Sequence, residues 1–332
     1  MKKLVSLLLC ISFCSLCLCA CSGSGEKARY NVVYTDVFDT VTEFTAYCYS
    51  EEEFNKAAEA MHAELLRLHK LFDIYNSYDG VKNVRTLCEN PGTGLRGVPE
   101  LCALVELGKE YYSLSGGKLN IALGAVLRIW HEYREKGTGV PSAAELRKAS
   151  EHTDISKVSA SPEGIVAVSD PELKLDLGAV AKGYASGLAA KVIKDMGVTD
   201  FALNIGGNVV TSGEKPNGKW VIGVQDPDEG IYAKVRVSGE SVVTSGDYQR
   251  YYEYEGVRYH HIIDPETLFP ADRYRSVTVI CGDPAQADAL STALFLMPLE
   301  EGKALAKSRG AEALWILPDK SSVRTDGFEK YE

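Results

Sequence analysis

The chain has 332 residues, 45% of them hydrophobic and 25% charged, which is enough for a sizeable buried core and too balanced for a disordered protein. Its 46 acidic residues against 36 basic ones give a net charge of -10 at pH 7. No basic run or arginine-rich stripe is present to track a phosphate backbone, which argues against nucleic-acid binding.

Lys2 and Lys3 precede an apolar run from Leu4 to Leu18, which ends in Leu18-Cys19-Ala20-Cys21. This is the pattern of a secretion signal, and the run is shorter than the roughly 20 residues that a spanning helix needs. Its end resembles a bacterial lipobox, with a small residue before the cysteine. Residues 1–20 are therefore expected to be a signal peptide, Cys21 the lipidated N-terminus, and 21–27 a flexible tether through Ser22-Gly23-Ser24-Gly25. The folded domain is expected over 28–332, on an exported protein anchored to the cell membrane and facing outward or to the periplasm. Once the signal and Cys21 are set aside, Cys48, Cys88, Cys102 and Cys281 remain. None forms a CxxC pair or lies near histidines at metal-ligand spacing, so they read as small core residues.

Thr40 to Tyr49 mixes β-branched and aromatic residues in the alternation of a half-buried strand. From Glu52 to Phe72, the residues Phe54, Ala58, Met61, Leu65, Leu68 and Phe72 recur every three or four positions and predict one apolar helical stripe. Asp73 to Gly97 reads as a loop, Pro99 to Leu114 as a helix, and Leu119 to Trp130 as a buried helix. Ser142 and Glu145 form a capping-box pattern, and Leu173 to Leu175 predicts a strand running into a helix over Gly178 to Met196. Strands follow at Phe201–Ile205, Trp220–Gln225, Tyr232–Val237, Ser241–Thr244, a hairpin over Tyr251–Ile263, and Tyr274–Cys281; Pro284 to Leu296 is again helical. Clustered strands with segregated helices define an α+β architecture.

Three glycine turns could present backbone N–H groups to phosphate oxygens. The first, Asp176-Leu177-Gly178-Ala179, carries a carboxylate and is followed by Lys182. The second is Asn204-Ile205-Gly206-Gly207-Asn208, and the third Thr244-Ser245-Gly246-Asp247. Alone, each is as readily a cap or a simple chain reversal. His260 and His261 are adjacent on a strand and must face opposite sides, so at most one can enter a given site while the other is expected at the surface. A histidine so placed could take the proton of a substrate hydroxyl. Asp288 and Thr292 are four apart on a helix, share a face, and offer the hard oxygen donors that Mg²⁺ takes in small number.

These motifs, in this order, resemble the ApbE family over about Val37 to Trp315. The resemblance implies an FAD:protein FMN transferase with a fold related to the T-fold. It makes Asp176 and Lys182 contacts of FAD, and Asp288, Thr292 and the backbone carbonyl of Ala179 ligands of Mg²⁺. Ile262 or Ile263 would line the flavin pocket, His261 would be the general base, and Tyr75 and Asn120, Ile121 and Ala122 match regions that touch FAD. Gly206, Gly207, Ser245 and Gly246 complete the expected dinucleotide contacts. The chain has Phe38-Asp39-Thr40 where the family usually has Met-Gly-Thr, and Asn120 where it usually has aspartate. The acceptor would be a Thr or Ser of a flavoprotein subunit, since no self-acceptor motif is apparent. The rival expectations are an FAD pyrophosphatase, with water as the nucleophile, and a lipid-anchored flavin- or solute-binding protein.

Overall fold

The computed structural model describes residues 25–332; the expected signal peptide, Cys21 and most of the tether lie outside the described residues. The chain enters at β1 (Ala28–Val37), which turns back on β2 (Thr40–Cys48) through the two residues Phe38 and Asp39. Their φ angles of 54° and 50° belong to a type I′ turn, whose twist suits a hairpin. Ser50 caps α1 (Glu51–Phe72) by accepting the Glu53 N–H, and the predicted stripe from Phe54 to Phe72 is buried. The stretch expected to be a plain loop holds α2 (Val84–Glu89) and β3 (Leu95–Arg96), because Asn83 and Thr86 close a capping box that starts a short helix. After α3 (Pro99–Leu114), the expected helix over Leu119–Trp130 begins late. Residues 119–123 form a turn in which Asn120 Oδ1 accepts the Ala122 N–H, and α4 runs over Gly124–Lys136.

Beyond α5 (Ala143–Ser150), β4 (Val158–Ser161) and β5 (Ile165–Val168) form a small antiparallel sheet with β3. Leu173–Leu175, expected as a strand, joins no sheet; neighbouring backbone bonds run from Gly124 N–H to Lys174 O and from Asp176 N–H to Ile121 O. The turn over residues 176–180 then delays α6, which spans Ala181–Asp195. Next come β6 (Phe201–Ile205), β7 (Asn208–Ser212), β8 (Trp220–Gln225), β9 (Ile231–Val237), β10 (Ser241–Gly246), β11 (Tyr251–Tyr254), β12 (Val257–His260) and β13 (Ser276–Cys281). Asp283 caps α7 (Pro284–Leu296), and α8 (Leu299–Ser308), β14 (Glu312–Ile316) and β15 (Ser322–Arg324) complete the domain.

The strands expected as one antiparallel set divide. Eight form a single antiparallel sheet in the order β1-β2-β6-β7-β10-β13-β14-β15, while β8–β9 and β11–β12 stand apart as hairpins. Helices α1, α6 and α7 bury their apolar sides with Phe44, Phe201, Val277 and Val279 of the sheet in the main core. On the other face, the β8–β9 hairpin places Trp220, Val224, Val235 and Val237 against Val209, Val242, Ile280 and Leu314. A third cluster joins α4 and α5 to the β11–β12 hairpin through Trp130, Leu146, Tyr252 and Ile263. The four cysteines are buried and unbridged. No helix among the described residues is long and apolar enough to cross a membrane.

Candidate active site

The sheet, the α6 N-terminus, α7 and the α4–hairpin cluster surround a cleft of about 1000 Å³. Its walls include Tyr75, Asn120, Asp176, Ala179, Lys182, Gly206, Gly207, Ser245, His261, Ile262, Ile263, Asp288 and Thr292, so most of the sequence candidates converge there. Arg29 of β1 and the β8 strand border one end. Three candidates do not reach the wall. Ile121 fills the space above Gly108, where a Cβ would stand 2.6 Å from its methyl group; Ala122 is wholly buried; and Gly246 lies under the Tyr248 ring.

Asp288 is on the buried side of α7, 3% exposed. Its Oδ2 accepts the Gly183 N–H at 2.7 Å, and its Oδ1 faces Lys182 Nζ at 3.9 Å. Burial pushes its carboxyl up, against the opposing pull of Lys182, the Gly183 N–H and the Asn208 amide. One turn on, Thr292 Oγ1 lies 3.3 Å from Ser245 Oγ, which also meets Ser291 Oγ at 2.8 Å. Asn208 is 2% exposed and its Oδ1 has no protein partner. A buried carboxylate beside hydroxyls and an orphaned amide oxygen is a hard-oxygen donor set, with Lys182 as its one neighbouring cation among the described residues. No group of three His, Cys, Asp or Glu side chains gathers among the described residues, so the set suits a cation that keeps part of its shell for other oxygens.

The turn before α6 is set by Asp176, whose Oδ1 accepts the Gly178 N–H at 2.8 Å. Burial raises its pKa against the pull of Arg250, His131 and Lys182. In the β6–β7 turn Gly206 and Gly207 have φ angles of 55° and 90°, and a Cβ on Gly206 would stand 2.3 Å from Thr40 Oγ1. Glycine is required there by both conformation and space.

The two histidines part as their adjacency requires, although neither is at the surface as expected of one of them. His260 is buried with Nε2 donating to Ala271 O at 2.7 Å, which satisfies it away from the cleft. His261 lines the cleft, and its Nδ1 lies 3.2 Å from Arg250 O. A carbonyl oxygen only accepts, so Nδ1 carries the proton and Nε2 keeps its lone pair. Burial and the neighbouring Arg250 push the imidazole down to about 3, which keeps it neutral.

Sequence reasoning missed Arg250, Arg134, His131 and Lys118, which also line the cleft. No local pattern marks them. Asn208 stood inside the second glycine motif and was legible as a polar residue at a strand start.

Over residues 38–315 the chain matches the model of the ApbE family, and it belongs to that family. It is 34% identical over 226 residues to an FAD:protein FMN transferase of Klebsiella pneumoniae (strain 342), covering 66% of this chain and 70% of that protein. An FAD:protein FMN transferase of Treponema pallidum (strain Nichols) is 35% identical over 241 residues, covering 66% of each. Among solved structures, the ApbE protein of Thermotoga maritima superimposes with a TM-score of 0.83 at 29% identity, covering 92% of this chain and 99% of that one. The apo form of the Pseudomonas stutzeri flavinyl transferase ApbE gives 0.79 at 26% identity, covering 93% and 98%.

Proposed function

We propose that this chain uses Mg²⁺ and FAD to attach FMN to a Thr or Ser hydroxyl of another protein, releasing AMP. It is a transferase, an FAD:protein FMN transferase, with FAD as one substrate and a protein as the other. The observation that carries this reading is the meeting, in one cleft, of the buried Asp288 carboxylate, the Thr292 and Ser245 hydroxyls, glycine turns at Gly178 and Gly206-Gly207, and an imidazole with a free ring nitrogen.

Asp288, Thr292 and the carbonyl of Ala179 would hold the Mg²⁺, and the burial of the Asp288 carboxyl and the orphaned Asn208 Oδ1 beside it support that fit. Bound there, the cation neutralises charge on the pyrophosphate of FAD. Lys182 adds a positive charge at the same point, and the small residues of the glycine turns leave room for phosphate oxygens to approach. Tyr75, Ile262 and Ile263 offer the aromatic and apolar surface that an isoalloxazine ring packs on, and Asp176 and Asn120 supply polar contacts. The acceptor oxygen attacks the phosphorus on the FMN side, the bond to the AMP phosphate breaks, and His261 Nε2 takes the hydroxyl proton.

Incubation with FAD, Mg²⁺ and a candidate acceptor tests the reading. In-gel flavin fluorescence and an added FMN mass on the acceptor support it. Free FMN and AMP with an unlabelled acceptor would point to water as the nucleophile, and flavin binding without turnover to a carrier. For location, the N-terminal sequence supports an exported protein held by an acyl chain on Cys21. Incorporation of labelled palmitate that disappears in Cys21→Ser is the expected result.

A further inference from the structure

We propose that His69 is a positioning residue for the transfer: through the Phe38–Asp39 turn and Arg250, it fixes where the His261 imidazole stands. This rests on the transferase reading, with His261 as the base.

Neither turn residue is a glycine, and a phenylalanine in the left-handed region persists only where its surroundings over-determine it. Here they do. The Phe38 N–H donates to His69 Nδ1 at 3.1 Å, and the Phe38 and Asp39 carbonyls each accept Arg250 Nη2 at 3.3 Å. The same Arg250 accepts at its own carbonyl from the His261 N–H at 3.1 Å and from the His261 ring at 3.2 Å. One arginine thus joins the strained turn to the base.

The protons beneath the turn can be placed without ambiguity. Tyr78 donates its hydroxyl to Asp73 Oδ2 at 2.5 Å, because a carboxylate accepts. Its oxygen is then left to accept the His69 Nε2–H at 3.2 Å, and Nδ1 keeps the lone pair that the Phe38 N–H needs. Asp73 is itself fixed by the N–H groups of Tyr75 and Asn76 and by the Asn76 side chain. Only the Nε2-protonated tautomer of His69 serves both neighbours, so the ring fixes the turn through its Nδ1 lone pair.

The test uses three variants of the full chain. His69→Asn keeps an acceptor at the Nδ1 position, His69→Leu removes it, and Tyr78→Phe removes the group that orders the tautomer. Hydrogen–deuterium exchange of the segment containing Phe38 reads the turn directly, and steady-state kinetics with FAD and acceptor read its effect. His69→Leu is expected to speed exchange at Phe38 and to lower kcat about tenfold to hundredfold, as small misplacements of reacting groups do, with KM for FAD little changed. His69→Asn is expected to restore most of kcat, since its amide oxygen can still accept the Phe38 N–H. Tyr78→Phe is expected to fall between the two. Unchanged exchange at Phe38 in His69→Leu overturns the proposal, as does a His69→Asn enzyme no better than His69→Leu. If His69→Leu does not fold, the same comparison of His69→Asn and Tyr78→Phe with the unaltered chain decides. A wild-type chain that transfers no flavin defeats the transferase reading instead, while the exchange data still report on the clamp.

Discussion

Gly183 donates its backbone N–H to Asp288 Oδ2 at 2.7 Å, and a Cβ on that glycine would stand 2.4 Å from the aspartate's own Cβ. The carboxylate therefore owes its position to the missing side chain on the facing helix. It also owes its orientation to the first turn of α6, whose Gly183 N–H points at it and whose dipole favours negative charge. Two segments more than a hundred residues apart in sequence build one donor site because nothing separates their backbones.

Replacing Asp288 with Ala is expected to remove turnover by at least about a hundredfold, while flavin binding changes far less. Fluorescence titration with FAD beside a transfer assay checks it. Equal losses in both would place Asp288 in dinucleotide binding alone.

Gly183→Ala is expected to cost about 1–3 kcal/mol, because the added methyl group would also meet Pro284 O at 2.3 Å and the helices must part. Urea unfolding measures it. A loss of kcat in the surviving folded enzyme is expected alongside, since Asp288 moves with α7.

Lys118 and Asp264 form a buried pair, with Lys118 Nζ 3.1 Å and 3.2 Å from the two carboxylate oxygens and 2.7 Å from Glu266. The pair ties the end of the histidine-bearing segment to the turn before α4. Lys118→Met leaves Asp264 buried and unpaired, and about 3–5 kcal/mol of stability is expected to be lost. The double variant Lys118→Met with Asp264→Leu should recover much of it; no recovery would mean that the pair itself is strongly net stabilising.

His261 is held at about 3, below its ordinary 6.5, by burial first and Arg250 second. The unfolded chain therefore binds a proton that the folded chain refuses between those values. The stability this group contributes is whole above pH 6.5 and declines as pH falls toward 3. His261→Gln is expected to flatten the acid side of a stability–pH curve from chemical denaturation. Parallel curves for variant and wild type would show that the imidazole is not held neutral.

The elements that sequence made legible were those with an unbroken period or a strong start. The α1 stripe and the proline-started α7 follow their residues closely, because spacing alone decides which side is buried. Where a polar side chain bonds its own backbone, the pattern misled: Asn120 stopped a helix that the apolar run 119–130 suggested, and Asn83 began one inside an Asn- and Gly-rich stretch. Asp288, Thr292 and the glycine turns could be picked out by spacing and order, and the fold brings all of them except Gly246 to the wall of one cleft. His260 was not, since its burial depends on Ala271 O, a partner brought by the fold. Arg250 and His69 left no trace in the sequence, because they meet carbonyls and an N–H group of a turn that any residues could supply.

Arg29 belongs to the wall of the cleft, only eight residues after Cys21. Fully stretched, that leash reaches about 26–29 Å. With the acyl chain on Cys21, as proposed, catalysis is confined to a thin layer over the lipid headgroups. An acceptor embedded in the same bilayer then meets the enzyme by a two-dimensional search, whereas a freely diffusing one must first find the surface.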